Sequence, residues 1–392
     1  MKILNTIIVL ASLSACAAFA QDNAIEKFDP RMALEKATVD TNGVKWIDGR
    51  YLPLEGKCFS NTSAYYDRLP SNVTENVNGG VRGMKSHTSG MQFRFVTDSR
   101  RLAFKWVPTS PVLAMDHMPA TGKSGIDVYR QDADGKWRYV KTGRITNGKN
   151  GGYLTISWQP GEPCLVNLPL YNGIKSFSLG ISKNAKVEAL GPRKSGIDKP
   201  VVFYGTSITH GGCASRPGLA FPSIVGRDLD VPIVNLGFSG SGRMEFEMSE
   251  HLAAIDASCY VLDCLWNMGG ARNLKERSEA DLRNVKLGPG VVVRTRYEKF
   301  IRNLRRLRPD VPIVMAEACD VYCKGPNVND LFIKGLYDRL VAEGWKNLVY
   351  LPKDGMYDGD VEGTVDGVHP NDIGMMSMSK AFGKAVKKAL GL

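Results

Sequence analysis

From Pro200 to the C-terminus, five short apolar runs (201–204, 231–236, 259–265, 311–315 and 347–351) alternate with stretches of helical period, among them 247–255, 297–307 and 331–342. Strands that are apolar on both sides and separated by helices pair in parallel, because the connecting helices must cover both faces of the sheet. Five such strands predict a flavodoxin-like three-layer α/β/α domain over residues 196–392. In sheets of this kind, ligands sit beyond the carboxyl ends of the strands. The residues that close each apolar run are therefore the place to look for chemistry.

The half that precedes this domain follows a different period. Met91-Gln92-Phe93-Arg94-Phe95, Leu102-Ala103-Phe104-Lys105-Trp106, Tyr153-Leu154-Thr155-Ile156-Ser157-Trp158 and Phe177-Ser178-Leu179-Gly180-Ile181 alternate as half-buried strands do. Turn signals separate them at Asn78-Gly79-Gly80, Asp134-Gly135, Gly151-Gly152 and Asn172-Gly173. No long helical pattern intervenes, so residues 40–195 are expected to form an antiparallel all-β sandwich of jelly-roll-like type. Gly191-Pro192-Arg193-Lys194-Ser195-Gly196 reads as the linker. A length of 392 residues fits two domains.

Residues 1–20 have the make-up of a leader. Lys2 is followed by an apolar run to Leu13, then by Ala15-Cys16-Ala17-Ala18-Phe19-Ala20 before Gln21. A charged start, a short apolar stretch and an A-x-A site make a secretory signal peptide. This leaves 21–39 as the mature N-terminal segment and predicts a periplasmic or secreted protein. Leu13-Ser14-Ala15-Cys16 offers a second export reading, since it resembles the bacterial lipobox; Cys16 would then carry lipid and anchor the chain to a membrane. Cleavage after Ala20 is the cleaner fit. No other stretch is long and apolar enough to span a bilayer.

The formal net charge is +11, but the basic residues are scattered. Their one cluster, Arg296, Lys299, Arg302, Arg305, Arg306 and Arg308, shares a helix with Tyr297, Phe300, Ile301, Leu304 and Leu307 on the opposite stripe. That is the pattern of a solvated helix face. Together with export it points away from nucleic acid as a partner, and nothing in the pattern specifies an oligomer. Cleavage removes Cys16 from eight cysteines and leaves an odd number, which closes no disulfide framework. Cys259 and Cys264 read as small buried hydrophobes. Cys319 and Cys323 could bridge each other or join that pair on zinc, but the spacings are not those of a usual zinc motif. Asp358-Gly359-Asp360-Val361-Glu362-Gly363 begins like a calcium loop, yet His369 stands where the bidentate Glu belongs. The expectation is no metal and no cofactor.

The first apolar run leads straight into Gly205-Thr206-Ser207-Ile208-Thr209-His210-Gly211-Gly212. A serine at a strand end and helix start sits among N–H groups that favour negative charge, though an ordinary N-cap has the same look. The second run ends in Asn235-Leu236-Gly237-Phe238-Ser239-Gly240-Ser241-Gly242. Its G-x-x-G-x-G order is not the dinucleotide fingerprint, and no G-x-S-x-G elbow surrounds any of these serines. The third run ends in Asp263-Cys264-Leu265-Trp266-Asn267-Met268, which places Asn267 on the same sheet edge. Near the C-terminus stands Asp366-Gly367-Val368-His369-Pro370. An aspartate three residues before a histidine can accept the imidazole N–H and fix its tautomer.

In order and placement, Ser207, Gly240, Asn267 and the Asp366/His369 pair resemble the four blocks of the SGNH/GDSL hydrolase superfamily, over roughly residues 200–392. The resemblance implies Ser207 as nucleophile, His369 as general base and Asp366 as the residue that orients it. It also implies an oxyanion hole made by the N–H groups of Ser207 and Gly240 and the amide of Asn267. The family's Gly-Asp-Ser is Gly-Thr-Ser here, and its Gly-x-Asn-Asp is Leu-Trp-Asn-Met. In the first half, Ser124-Gly125-Ile126-Asp127-Val128-Tyr129 resembles the G-x-D-L-Y signature of a β-rich domain found before some bacterial SGNH esterases. Arg68-Leu69-Pro70 and Asn167-Leu168-Pro169-Leu170-Tyr171-Asn172 resemble other parts of that domain.

The implied activity is a serine esterase working through an acyl-enzyme. Exported members of this architecture are linked to polysaccharide breakdown, so the expected substrate is an O-acetylated oligo- or polysaccharide. The alternatives are a lipid or lysophospholipid acyl ester and, in a different class, a carbohydrate-binding protein without catalysis. His210, Trp266 and Arg243 are expected to line the pocket. Arg216 and Arg272 lie in loops near the motif strands and could bind polar substrate. His87, His117 and His251 read as surface or hydrogen-bonded core residues.

Overall fold

The computed structural model describes residues 37–145, 151–268, 289–319, 325–357 and 362–392. The leader with Cys16, Arg272, Cys323 and the start of the calcium-like run lie outside the described residues.

In the first half, alternation sorts side chains to the two faces of each strand. Leu102, Phe104 and Trp106 enter the core from strand Arg101–Pro108, while Arg101 and Lys105 face water. One sheet carries, in spatial order, strands Thr38–Val39, Val44–Asp48, Ile174–Ser182, Arg101–Pro108 and Gly152–Ser157. The other carries Val187–Ala189, Gln92–Thr97, Pro163–Asn167, Ile126–Gln131 and Trp137–Gly143, with Leu54–Glu55 added beside Gln92–Thr97. Every pairing in both sheets is antiparallel. Phe93, Phe95, Phe104, Trp106 and Phe177 fill the space between them. This is the expected sandwich.

The second half is a parallel sheet of strands Val201–Gly205, Ile233–Gly237, Cys259–Asp263, Ile313–Ala316 and Leu348–Leu351. Numbered along the chain, they lie in the order second, first, third, fourth, fifth, which is the flavodoxin-like arrangement. Alternate side chains enter two cores, which is why whole strands are apolar. Val202, Tyr204, Leu236, Tyr260 and Leu262 pack under helices Phe246–Ala253, Pro289–Leu307 and Val328–Ala342. Val201, Phe203, Ile233 and Val261 pack under Phe221–Leu229 and Asp372–Leu390. Cys259 and Cys264 are buried, one in each core.

Several expectations shift. Leu265 does not end a strand, which stops at Asp263, but opens the 3-10 turn Leu265–Met268 that carries Asn267. Tyr297, Phe300, Ile301 and Leu304 are buried as their period predicts, but Leu307, the last residue of that helix, is 37% exposed. The basic cluster is largely occupied within the chain. Arg296 pairs with Glu245, Arg302 with Glu298 and Glu343, and Arg308 donates to the Ala253 carbonyl. Among the described residues no helix is long and apolar enough to cross a membrane, and no cluster of three or more potential metal ligands occurs.

The two halves are clasped together. Asp127, wholly buried, accepts from the Asn167 amide on one oxygen and from Gly218 N and the Arg216 guanidinium on the other. Tyr129 closes the same knot through its hydroxyl on Arg216. Arg193 of the linker pairs with Glu55 on one side and Asp230 on the other. The Asp127 knot fixes the β domain near the sheet edge where the motif residues gather, and the Arg193 pairs tie it at the far end of helix Phe221–Leu229.

Candidate active site

Thr206 ends the first strand's turn and caps the short helix Ser207–His210, its hydroxyl accepting from Ile208 N at 3.2 Å. As first residue of that helix, Ser207 has an N–H with no carbonyl one turn earlier to receive it. The residue is nearly buried, at 5% exposure.

The Asp366/His369 segment closes on itself before it meets the serine. Val365 N donates to His369 O at 2.9 Å and Gly367 N to the Thr364 hydroxyl at 3.0 Å. One oxygen of Asp366 accepts from the backbone N–H groups of Val368 and His369 at 3.0 and 2.8 Å; the other faces His369 Nδ1 at 2.8 Å. Partial burial works to raise the Asp366 pKa, but the hydrogen bonds from His369 and Val368 outweigh it and hold the carboxyl at about 2. The carboxylate is thus ionised at any working pH, which puts the imidazole proton on Nδ1. Nε2 is left as an acceptor, 2.9 Å from Ser207 Oγ. Serine, imidazole and carboxylate form one continuous chain.

Gly240 follows the second strand, Ile233–Gly237, and Asn267 the third, Cys259–Asp263. Gly240 is exposed with φ +63°, and a Cβ there would meet nothing within 4 Å. Its glycine is needed for the left-handed backbone, not for space. The Asn267 amide satisfies its neighbours when Oδ1 accepts from Ser241 N and Gly242 N at 3.1 and 3.3 Å. The opposite orientation offers only a 3.4 Å contact from Nδ2 to the Phe238 carbonyl. In the satisfied orientation Nδ2 remains as a donor on the other side of the amide.

The β domain supplies the wall behind the serine. Tyr171 donates to the Ser207 carbonyl at 2.8 Å and stacks on His210, ring centroids 4.0 Å apart. His210 Nε2 lies 3.3 Å from His87 Nδ1, and Ser89 donates to the His210 carbonyl. Arg68, buried without a carboxylate partner among the described residues, donates to the carbonyls of Asn235, Gly237 and Met84 and lies over the Phe238 ring. It thereby holds the stem of the loop that presents Gly240.

The structure corrects the expectations for His210, Arg216 and His117. His210 is fully buried beneath Tyr171 and does not line a pocket. Arg216 is spent on Asp127 and Tyr129. Trp266 is half-buried against the core, and Arg243 is exposed, its carbonyl accepting from Arg296. His117, read from sequence as an ordinary surface or core residue, instead stands beside His369, their ring centroids 5.5 Å apart. No local pattern could have found it, because the contact joins the two domains.

Residues 198–387 match the family model described as GDSL-like lipase/acylhydrolase, and residues 44–187 match GxDLY, the N-terminus of SGNH-hydrolase-type esterases. No curated protein matches the chain significantly. Among solved structures, a GDSL-like lipase from Bacteroides ovatus is 27% identical, covering 89% of this chain and 98% of its own, with a TM-score of 0.72. A salicylyl-acyltransferase from a tetracycline biosynthetic pathway has the same fold at 17% identity, covering 90% of this chain and 99% of its own, with a TM-score of 0.70. A family two carbohydrate esterase from Clostridium thermocellum, solved with cellohexaose, shares the fold at 14% identity, 77% and 93% coverage and a TM-score of 0.50.

Proposed function

The chain is an SGNH/GDSL esterase that carries a GxDLY-type β domain, and from that premise we propose that it removes O-acetyl groups from carbohydrates outside the cytoplasm, using Ser207, His369 and Asp366 as its triad. The observation that carries the triad is the unbroken pair of hydrogen bonds, 2.9 Å from Ser207 Oγ to His369 Nε2 and 2.8 Å from His369 Nδ1 to Asp366. Ser207 Oγ attacks the ester carbonyl while Nε2 takes its proton. The carbonyl oxygen becomes an oxyanion, received by the N–H groups of Ser207 and Gly240 and by Asn267 Nδ2. Collapse expels the alcohol, which takes the proton back from Nε2. Water, activated by the same imidazole, then releases acetate from the acyl-enzyme. Asp366 stays ionised throughout and stabilises the imidazolium.

Two observations support the substrate reading. The triad opens at the surface: the side chain of Asp366 is 41% and that of His369 23% exposed. An open mouth suits an ester with a small acyl group on an alcohol too large to be engulfed. The shared fold with a carbohydrate esterase solved with cellohexaose is compatible with it. Arg216 does not contribute, since it is committed to Asp127 and Tyr129. Export is proposed from the leader at 1–20, and the mass of the mature N-terminus, at Gln21 or at a lipidated Cys16, tests it.

A fluorophosphonate probe is expected to label the wild type and not Ser207→Ala; labelling of both, or of neither, would overturn the triad. Acetate release from acetylated xylan or pectin is expected to exceed cleavage of long-chain p-nitrophenyl esters. The reverse ranking would favour a lipid acyl ester as substrate.

A further inference from the structure

Where the alcohol half of the ester must lie follows from the proton's path. The base that removes the Ser207 proton returns it to the leaving oxygen, so that oxygen comes within hydrogen-bond reach of His369 Nε2. The acyl oxygen lies on the other side, toward Gly240 and Asn267. The alcohol therefore occupies the flank of His369, and on that flank the β domain places His117. We infer that His117 is a specificity-determining residue, which hydrogen-bonds a hydroxyl neighbouring the ester oxygen and so selects polyhydroxylated alcohols. This inference rests on Ser207, His369 and Asp366 acting as proposed.

His117 is built for such a contact. It is half-exposed, and its one interaction with the rest of the described chain is the ring contact with His369, so both ring nitrogens are unspent. An imidazole offers a donor and an acceptor together, which matches a hydroxyl in either role. Its mount is firm. Met115 and Met118 exchange backbone hydrogen bonds at 2.9 and 3.1 Å, holding Asp116 and His117 at the tip of a tight hairpin. Met118 is buried in the hydrolase-side core. The short helix that follows, Ala120–Lys123, runs against the segment 213–215: Thr121 donates to the Ser215 carbonyl at 2.6 Å. A Cβ on Gly122 would sit 2.1 Å from the Ala214 carbonyl, so the two backbones touch there. That segment is tied to the catalytic loop in turn, Cys213 N donating to the Pro370 carbonyl and Ser215 to Asp372. A continuous set of contacts thus fixes His117 relative to His369, as a specificity contact requires.

The test uses the full mature chain and two acetates that differ only in the alcohol, glyceryl monoacetate and p-nitrophenyl acetate. The quantity read is the ratio of their kcat/KM values. His117→Ala is expected to lower that ratio about tenfold, the worth of one hydrogen bond, through a raised KM for the glyceryl ester. His117→Gln, which keeps a donor and an acceptor, is expected to recover part of it. An unchanged ratio in His117→Ala overturns the inference, as does an equal fall for both esters, which would mark a structural role. A wild type that hydrolyses p-nitrophenyl acetate through Ser207 but no polyol acetate overturns it as well. If the glyceryl ester shows the effect and acetylated polysaccharides are not cleaved, the inference stands and the polysaccharide reading fails.

Discussion

Asn267 has two tasks at once. Its carbonyl accepts from the N–H groups of Ser241 and Gly242, and its amide nitrogen is the donor we propose for the oxyanion. Asn267→Ala removes both, but the residue is half-exposed at the end of a short turn, so folding should tolerate the change. We expect kcat to fall by about 10²–10³, or roughly 3–4 kcal/mol of transition-state stabilisation, with little change in melting temperature. A loss below tenfold in steady-state assays would remove Asn267 from the oxyanion hole. At this scale, what was legible in the sequence was local. The Asp366-x-x-His369 spacing forms its hydrogen bonds within one loop, so spacing alone announces them. His210 is near Ser207 in sequence but not near the cleft, being fully buried. Three residues carry it about 4.5 Å down the helix axis, into the domain interface beneath Tyr171. His117 and Tyr171 were unreadable as site residues because each reaches the site across the domain boundary.

Among elements, the strand–turn–helix units place Ser207, Gly240 and Asn267 along one sheet edge, and their periods were plain because each buried face repeats along its own segment. What the pattern could not show is how the β domain's motif works. Asp127 sits on strand Ile126–Gln131, where inward and outward alternation says little about a carboxylate. The structure has it joining strand Pro163–Asn167 to the 3-10 turn Pro217–Leu219, ten residues beyond Ser207. Asp127→Ala would leave the Arg216 guanidinium and the Gly218 N–H without their acceptor at a buried site. Removing one partner of such a pair costs about 3–5 kcal/mol. We expect a loss of that size in urea unfolding; a loss under about 1 kcal/mol would mean that water replaces the carboxylate and that the clasp is not structural.

For the whole molecule, the β domain is the wall behind Ser207, and the seam between wall and hydrolase domain contains two facing histidines. His87 Nδ1 and His210 Nε2 lie 3.3 Å apart, close enough to share one proton. A second proton would oppose two donors inside the interface. Burial, with Arg68 and Lys123 adding to it, lowers the His87 pKa to about 3, and burial with Arg68 and His87 depresses that of His210. In the unfolded chain a histidine titrates near 6.5. Between about pH 6.5 and 3 the unfolded state therefore binds a proton that the folded His87 refuses. The stabilisation is complete above 6.5 and is lost as pH falls, by at most about 1.4 kcal/mol per pH unit for one group. Asp263 acts in the opposite sense. Its burial raises its pKa to about 7 against the lowering effect of the Thr209 hydroxyl, so it favours the folded state as pH falls through the same range. A wild-type curve alone mixes these with other shifted groups, His251, Asp228 and Asp330 among them, and the comparison with His87→Gln isolates the histidine pair, since the rest are common to both proteins. From pH 6.5 to 4, the unfolding free energy of the wild type should drop relative to that of the variant, and the two curves should run parallel above pH 7. Parallel curves throughout would show that the pair takes up its proton in the folded state, and that the wall behind Ser207 accommodates charge.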